Sequence, residues 1–493
     1  MTAETLAPDA APKAMPIAAP HAARNRLVIA LLLTSTFVVF LNETIMSVAI
    51  PQLMDDLGVT ASAAQWLTTA FLLTMAVVIP ITGFLLQRLH TRPIFILAMS
   101  IFSIGTLVCA VSPGLELLVV GRVVQATGTA IMMPLLMTTV MQLVPPEGRG
   151  KTMGNISIVM SVAPAIGPTI SGLILTYLDW RWMFILVLPI SLGALALGAR
   201  LMQNVSTPRF APLDVLSVVL SALAFGGIVY GLSGLGEGAM HAQAVSPLVP
   251  LGIGVVSMAL FVFRQLGLQK RDGALLDLTT FTHANYTFSV IAMGFAMMAL
   301  FGMIILLPIY LQNVLGISTL NTGLLLLPGS LLMGLLGPVV GRLYDRIGTT
   351  PLVVPGAILV SLVLWALTQV SETTSVWMIL AGHVVMSLGL ALVFTPLFTA
   401  SLSSLPMRLY SHGSAILGSA QQVAGAAGVA LFVAVMTLQS ASLAAGGAEP
   451  VAALTGGLRM GFLCGAVISL FAIVAVIFVK KPPADPNMPM MGH

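Results

Sequence analysis

Residues Leu27–Ile50 read LVIALLLTSTFVVFLNETIMSVAI, twenty-four positions in which Glu43 is the one ionisable side chain. A helix needs roughly 20 apolar residues to cross about 30 Å of hydrocarbon, so this run is long enough to span a bilayer. It lacks the period-two alternation of a barrel strand. Helices and closed barrels are the only backbones that satisfy their own hydrogen bonds in lipid. Thirteen further apolar runs follow, at approximately 64–86, 93–111, 115–142, 152–177, 181–202, 213–235, 246–267, 285–311, 320–341, 351–370, 374–402, 412–438 and 457–479. Composition agrees, with 58% hydrophobic and 7% charged residues and a mean hydropathy of +1.05. A water-soluble chain of 493 residues needs a more polar shell than that. The expected fold is an all-α polytopic membrane protein with fourteen transmembrane helices.

Residues 1–26 are Ala/Pro-rich and read as a disordered tail; without the h-region and cleavage site of a secretory signal, the first span is expected to stay as a signal anchor. Basic residues set the orientation. With the N-terminus in the cytoplasm, 17 of the 20 Lys+Arg fall on the inside, leaving Arg181 and Arg459 outside and Arg122 within a span. Both termini, including the tail 480–493, are therefore expected in the cytoplasm. The same distribution accounts for the basic balance without invoking nucleic acid, because the charge is spread over loops. Cys109 and Cys464 both fall inside spans, which suggests neither a disulfide nor a metal site.

An internal repeat organises the chain. A shift of 258 residues aligns 53–93 with 311–351 without a gap, and 12 of 41 positions are identical. Shared Leu carries little weight here, but Gly58/Gly316, Pro80/Pro338, Gly83/Gly341, Arg88/Arg346, Thr91/Thr349 and Pro93/Pro351 surround one loop. Repeated bundles are a common plan of secondary transporters, with the substrate site near the midplane between them. The expected division is a six-helix bundle at 27–202, an inserted pair at 213–267, an interfacial amphipathic segment at 273–283 and a second six-helix bundle at 285–479.

Gly83-Phe-Leu-Leu-Gln87-Arg88-Leu-His90-Thr91-Arg92 resembles the loop 2–3 signature of the major facilitator superfamily, G-x-L-a-D-R-x-G-R-K, and Gly341-Arg-Leu-Tyr-Asp345-Arg346-Ile-Gly348 matches it more fully. Three stretches resemble the fourteen-spanner drug:proton antiporter branch, the EmrB/QacA type. Leu41-Asn42-Glu43-Thr44 through Pro51 is similar to its span 1 motif, and Leu118-x3-Arg122-x2-Gln125-x2-Gly128 to its span 4 motif. Ala163-x3-Gly167-Pro168-x2-Ser171-Gly172 is similar to its span 5 antiporter motif. The order and spans are right over nearly the whole chain. The departures are specific: Asn42 and Gln87 stand where the motifs have Asp, His90 where the loop has Gly, and Ala126 and Ser171 replace glycines.

Of the 16 acids, Glu43 alone lies well inside a span. A carboxylate there costs about 2.5–3.5 kcal/mol on insertion scales, which marks it as a functional candidate. Arg122, the one base inside a span, lies about seven residues from the outer end of span 4, roughly 10 Å at 1.5 Å per residue. Glu43 lies at a similar depth in span 1. The resemblance implies that both helices line one cavity, so Glu43 and Arg122 are the expected proton-coupling pair. The plain alternatives are a carboxyl held neutral by helix hydrogen bonds and an arginine satisfying backbone carbonyls.

Gln125 and Thr129 follow Arg122 at i+3 and i+7 and make one stripe. Substrate contacts are expected at Asn42, Met46, Gln125, Thr129, Met133, Gln421 and Gln422, and gating at Gly83, Arg88, Gly167, Pro168, Gly341, Asp345 and Arg346. His383 is a further titratable candidate in span 12. No phosphate loop, HExxH or GxSxG occurs, so neither ATP drive nor an enzyme is expected, and no cofactor or metal. The expected function is proton-coupled export of lipophilic small molecules from the bacterial cytoplasm by alternating access, by a monomer in the inner membrane whose partners are protons, lipid and substrate. The alternative is an exporter of one endogenous metabolite or lipid.

Overall fold

The structure, a computed structural model, describes residues 19–208, 214–237, 246–271 and 273–481. Among them are fourteen long α-helices and no strands: α1 (Ala19–Leu57), α2 (Ala61–Arg88), α3 (Thr91–Ala110), α4 (Leu115–Leu143), α5 (Arg149–Tyr177), α6 (Trp182–Leu201), α7 (Val215–Glu237), α8 (Leu248–Leu268), α9 (Ala284–Ile309), α10 (Thr319–Ile347), α11 (Thr350–Leu367), α12 (Val376–Ser403), α13 (Tyr410–Ala445) and α14 (Pro450–Ile477). Among the described residues, thirteen are long and apolar enough to cross a membrane; α5 is the other.

Several helices outrun their apolar runs. α1 starts at Ala19 and ends at Leu57, and α13 continues to Ala445. Hydropathy marks the part that lies in hydrocarbon, whereas Ala-rich flanks such as Ala22-Ala23 extend a helix beyond it by intrinsic preference. The start of α1 takes in residues 19–26 of the expected disordered tail. Residues 1–18 and 482–493, where the rest of that tail and most of the C-terminal one fall, lie outside the described residues.

The repeat appears in three dimensions at the starts of α2 and α10. Gly58 and Gly316 turn the chain with φ of 63° and 67°, a conformation open to glycine because it has no Cβ. Two residues on, Thr60 and Ser318 are extended N-caps whose hydroxyls accept the N–H groups of Ala63 and Asn321, both at 3.3 Å. All three pairs are 258 residues apart. The packing repeats as well. α1 packs on α4, α5 and α6 as α9 packs on α12, α13 and α14; α3 lies on α4 and α6 as α11 lies on α12 and α14; α2 meets α4 as α10 meets α12. The chain is thus two six-helix bundles, α1–α6 and α9–α14, with α7 and α8 inserted between them.

The inserted pair is tied to itself and to the second half. Asp214, just before α7, takes both Arg264 Nε (2.6 Å) and Nη2 (2.7 Å) from α8 and caps Ser217 N–H at 3.0 Å. The Arg264 hydrogen bonds hold the Asp214 carboxyl below the usual carboxylate range. That stabilising contribution is present at neutral pH and is lost on acidification through its lowered pKa. Gln265 Oε1 accepts the backbone N–H groups of Leu275 (2.7 Å) and Leu276 (3.3 Å). Within the segment 273–283, Leu275 and Leu276 are each 2% exposed, Phe281 is 41% exposed, and a short 3-10 turn covers Leu278–Thr282.

The halves meet along α5 with α10 and α2 with α13. Gly150 faces Gly341 and Gly154 faces Gly337 so closely that a Cβ at any of the four would overlap backbone of the opposite helix. Further along, Gly334 meets Ser161 and Val162. Ser157 bonds Thr395 at 2.6 Å, and Thr138 bonds Ser414 at 2.9 Å. These contacts run from the face bearing Arg149, Arg342 and Arg346, hereafter the basic face, to about mid-depth, so the halves are shut at that face.

Candidate functional site

Arg122 on α4 is 1% exposed and fully enclosed. Its Nη1 donates to Gln125 Oε1 at 2.8 Å and to Asn42 Oδ1 of α1 at 3.4 Å, its Nε donates to the Leu67 carbonyl of α2 at 3.4 Å, and its guanidinium lies 4.1 Å from the Phe71 ring centroid. Gln125 passes the chain on to α3, donating to Thr106 Oγ1 at 2.8 Å, and Thr106 donates to the Phe102 carbonyl at 2.8 Å. The charge is thus dispersed over dipoles and an aromatic face. Among the described residues the ion pairs are Arg264–Asp214 and Arg408–Asp277, neither of which involves Arg122.

Glu43 follows Asn42 on α1, and its Oε2 is buried with no hydrogen-bond partner among the described residues. Glu43 and Arg122 are close enough for their charges to act on one another, yet Arg122 bonds Asn42, the residue that stands where the span 1 motif has its acid. A buried carboxyl oxygen without a donor is costly and can be relieved by a proton or a cation. The neighbouring Thr44 hydroxyl donates to the Leu41 carbonyl at 3.1 Å and approaches the Ala163 carbonyl of α5 at 3.5 Å. Gly167 leaves room for that approach, since a Cβ there would overlap Thr44 Oγ1. α5 continues through Pro168, whose side chain lies outside the described residues.

The other expected substrate contacts divide. Asn42, Met46, Gln125 and Thr129 are buried within the first half. Of the stripe on α4, Arg122 turns to α1 and α2 and Gln125 to α3, where Gly105 and Gly128 let α3 and α4 touch backbone to backbone. Met133, Gln421 and Gln422 are half-buried. The two glutamines make no side-chain hydrogen bond among the described residues, so their amides are free for a ligand. His383 on α12 pairs its Nε2 with the Leu326 carbonyl of α10 at 3.0 Å, and its Nδ1 is buried without a hydrogen-bond partner among the described residues. Leu326 sits one residue beyond the repeat equivalent of Leu67, so both halves tie the second helix of the bundle to a polar side chain of the fourth.

The two loop copies make unlike clamps. At the end of α10, Asp345 Oδ1 accepts Gly150 N–H at 2.8 Å and Oδ2 accepts Lys151 N–H at 2.9 Å. A carboxylate thereby caps the first turn of α5, where unpaired N–H groups and the helix dipole favour negative charge. The Lys481 ammonium donates to the Asp345 carbonyl at 2.8 Å. At the equivalent place on α2, Gln87 meets the first turn of α13, donating to Ser411 Oγ at 3.1 Å and touching His412 Nε2. A Cβ at Gly83 would stand 3.2 Å from Ala415 Cβ, while one at Gly341 would overlap the Gly150 carbonyl. Arg88 and Arg346 are exposed; Arg88 lies 5.9 Å from the Phe84 ring centroid, and Arg346 lines a basic-face cavity of about 340 Å³ with Lys151 and Arg342.

The sequence profile of the Major Facilitator Superfamily matches residues 32–429. The chain belongs to the major facilitator superfamily. The lincomycin resistance protein LmrB of Listeria monocytogenes is 39% identical over 459 residues, covering 92% of this chain and 96% of that one. The uncharacterised MFS-type transporter YcnB of Bacillus subtilis is 38% identical over 461 residues, with 93% and 96% covered. The multidrug resistance protein B homolog of Mycobacterium tuberculosis is 30% identical over 404 residues, with 80% and 73% covered. The human organic anion transporter MFSD10 (TETRAN) superposes with a TM-score of 0.63 at 15% identity, over 92% of this chain and 99% of that chain; at that identity the likeness concerns the fold alone.

Within this superfamily member, sequence reasoning overlooked Phe71, Leu67 and Thr106 around Arg122, and Ser411, His412 and Asp277 at the α13 clamp. No spacing in the sequence points to these. The glycine pairs were readable: Gly150-x3-Gly154 and Gly337-x3-Gly341 are the small-x3-small pattern of close helix contacts.

Proposed function

We propose that this multi-pass protein is a proton-coupled exporter of lipophilic compounds, working by alternating access between the α1–α6 and α9–α14 bundles. The observation that carries the reading is the buried carboxyl oxygen Oε2 of Glu43, without a hydrogen-bond partner among the described residues, beside an Arg122 whose Nε and Nη1 are bonded to Leu67, Asn42 and Gln125. A proton on Glu43 removes an uncompensated charge from the membrane interior. When the outer cavity is open, drug and proton bind in opposition: a bound substrate near Glu43 displaces the proton or is displaced by it, which couples the two fluxes. Arg122 supplies a fixed positive potential that eases release of the proton without itself leaving its bonds to Asn42, Gln125 and Leu67. Gln421 and Gln422 offer polar contacts from the second half, and Met133 adaptable apolar surface.

The similarity to a lincomycin resistance protein and to multidrug resistance homologues supports drugs as cargo. In this reading the basic face is cytoplasmic, the membrane is the bacterial inner membrane, and the protein acts as a monomer without cofactor or nucleic acid. The conformer with that face shut is the one that releases substrate outward. Transport into everted vesicles under an imposed pH gradient tests the function: uptake of drug with simultaneous proton efflux is expected, and uptake indifferent to the gradient would refute coupling. Single cysteines introduced at Arg408 and Arg209 are expected to react only from the cytoplasmic side, and one at Glu449 only from outside. Labelling of Arg408 from outside would overturn the orientation.

A further inference from the structure

His412 lies in the first turn of α13, 6% exposed, where the two halves and the 273–283 segment converge. Its Nδ1 accepts the backbone N–H of Asp277 at 3.2 Å, and its Nε2 meets the Gln87 amide of α2. A backbone N–H can only donate, so the closed form requires a bare Nδ1 and places the imidazole proton on Nε2. With the Gln87 amide turned so that its carbonyl oxygen faces the ring, that oxygen takes both the Nε2–H and the Ser411 hydroxyl. Amide orientation is an assignment that follows the network.

We propose that His412 is a proton-binding site distinct from Glu43, and that protonation there releases the α2–α13 clamp and opens the basic face. A second ring proton would set Nδ1–H against Asp277 N–H, two donors in one contact. It would also bury a positive charge at a helix N-terminus, where the dipole is unfavourable to cations. The charged groups that act on the ring are Asp277, whose carboxylate is already bonded by Thr279 N–H (2.9 Å) and Oγ1 (2.6 Å), and Arg408, 3.7 Å from that carboxylate. The Leu275 carbonyl is an acceptor near the ring, but a proton on Nδ1 occupies the lone pair that Asp277 N–H uses. Among the described residues the hydrogen-bonding contact of the ring with α2 is neutral Gln87, and the adjoining contacts of α9 and α4, Tyr286 Oη to Gly413 O and Thr138 to Ser414, are neutral too. Separation of the halves withdraws Gln87 and lets water solvate the imidazolium, so the open form takes the proton and, by linkage, acid favours opening.

Asp345 makes the contrasting clamp in the other half, a carboxylate that strengthens when charged. Acid on the basic face would therefore loosen the α2–α13 side first, biasing the protein toward its inward-open form when the cytoplasm acidifies. The inference rests on the transporter reading, and its test keeps the two apart.

Spin labels at Pro93 and Met407, both exposed on this face, in a background lacking Cys109 and Cys464, report the separation of the halves. Between pH 8 and pH 5.5 the open population is expected to rise about tenfold, as for a hydrated imidazole titrating near about 6.5. The rise is expected to vanish in His412→Gln and to persist in Glu43→Gln. A rise unchanged in His412→Gln, or none in the parent, would overturn the proposal. Should His412→Gln not fold, Gln87→Asp approaches the contact from α2: its carboxylate would hold the imidazolium in the closed form, so a flat or inverted response is expected, and an unchanged tenfold rise would refute the site. Efflux by Glu43→Gln is a separate measurement, and its outcome leaves the distance series intact.

Discussion

Glu43→Gln is expected to abolish pH-driven efflux while leaving drug binding in place. The amide matches the carboxyl in shape but carries no titratable proton, so the two fluxes lose their link. The expected drop in gradient-driven transport is at least about a hundredfold, because transport then proceeds only by uncoupled leak, a difference of about 2.7 kcal/mol. Arg122→Ala is expected to weaken both coupling and binding. It strips partners from Asn42, Gln125 and the Leu67 carbonyl, each charge-assisted bond contributing about 1.5–3 kcal/mol, and it leaves Phe71 facing a void. Thermal stability should fall along with efflux. Vesicle transport and equilibrium drug binding, measured on the same preparations, check both expectations. Full proton-driven efflux by Glu43→Gln would move the coupling site elsewhere, with His383 and Asp345 the next to examine.

Asp345→Asn is expected to impair transport more than Gln87→Ala. Asp345 uses one carboxylate oxygen for each of two N–H groups at the start of α5. An asparagine keeps one acceptor and turns its NH2 toward the other N–H, which loses a bond, opposes two donors and removes the charge that the helix dipole favours. The combined cost is about 1–3 kcal/mol, or roughly 5–150-fold in the open–closed equilibrium. Gln87→Ala removes neutral contacts to Ser411 and His412, worth about 0.5–1.5 kcal/mol. Turnover by the two variants, together with the label distance across the basic face, checks the ranking. Equal and mild effects would show that charge at this loop does not hold the gate.

What the sequence determined by itself is the class of molecule and its internal symmetry. Fourteen helices were legible as runs in the sequence, thirteen of them, all but α5, long and apolar enough to meet a bilayer's demand for about 20 apolar residues per helix, a constraint written locally along the chain. The repeat was legible at Gly58 and Gly316 because only glycine takes their φ without strain, and at Gly341-x3-Asp345-Arg346 because the loop needs those side chains in that order. Glu43 and Arg122 stood out because charge within a span is rare. Their partners did not. Asn42 and Gln125 were on the page as neighbours in sequence, but the choice of Asn42 over Glu43 as the acceptor of Arg122 depends on the relative rotation of α1 and α4. That rotation is set by packing at Gly105, Gly128 and Gly167. The close packing of α4 on α3 buries Gln125 against Thr106. The clamps depend on still longer reach: Asp345 and Gly150 are 195 positions apart, and Gln87 and His412 325 apart. A hydrogen bond between helix ends so distant along the chain leaves no periodic trace in composition or spacing. Only the tertiary structure, by bringing the first turns of α5 and α13 against the last turns of α10 and α2, decided which residues hold the basic face shut.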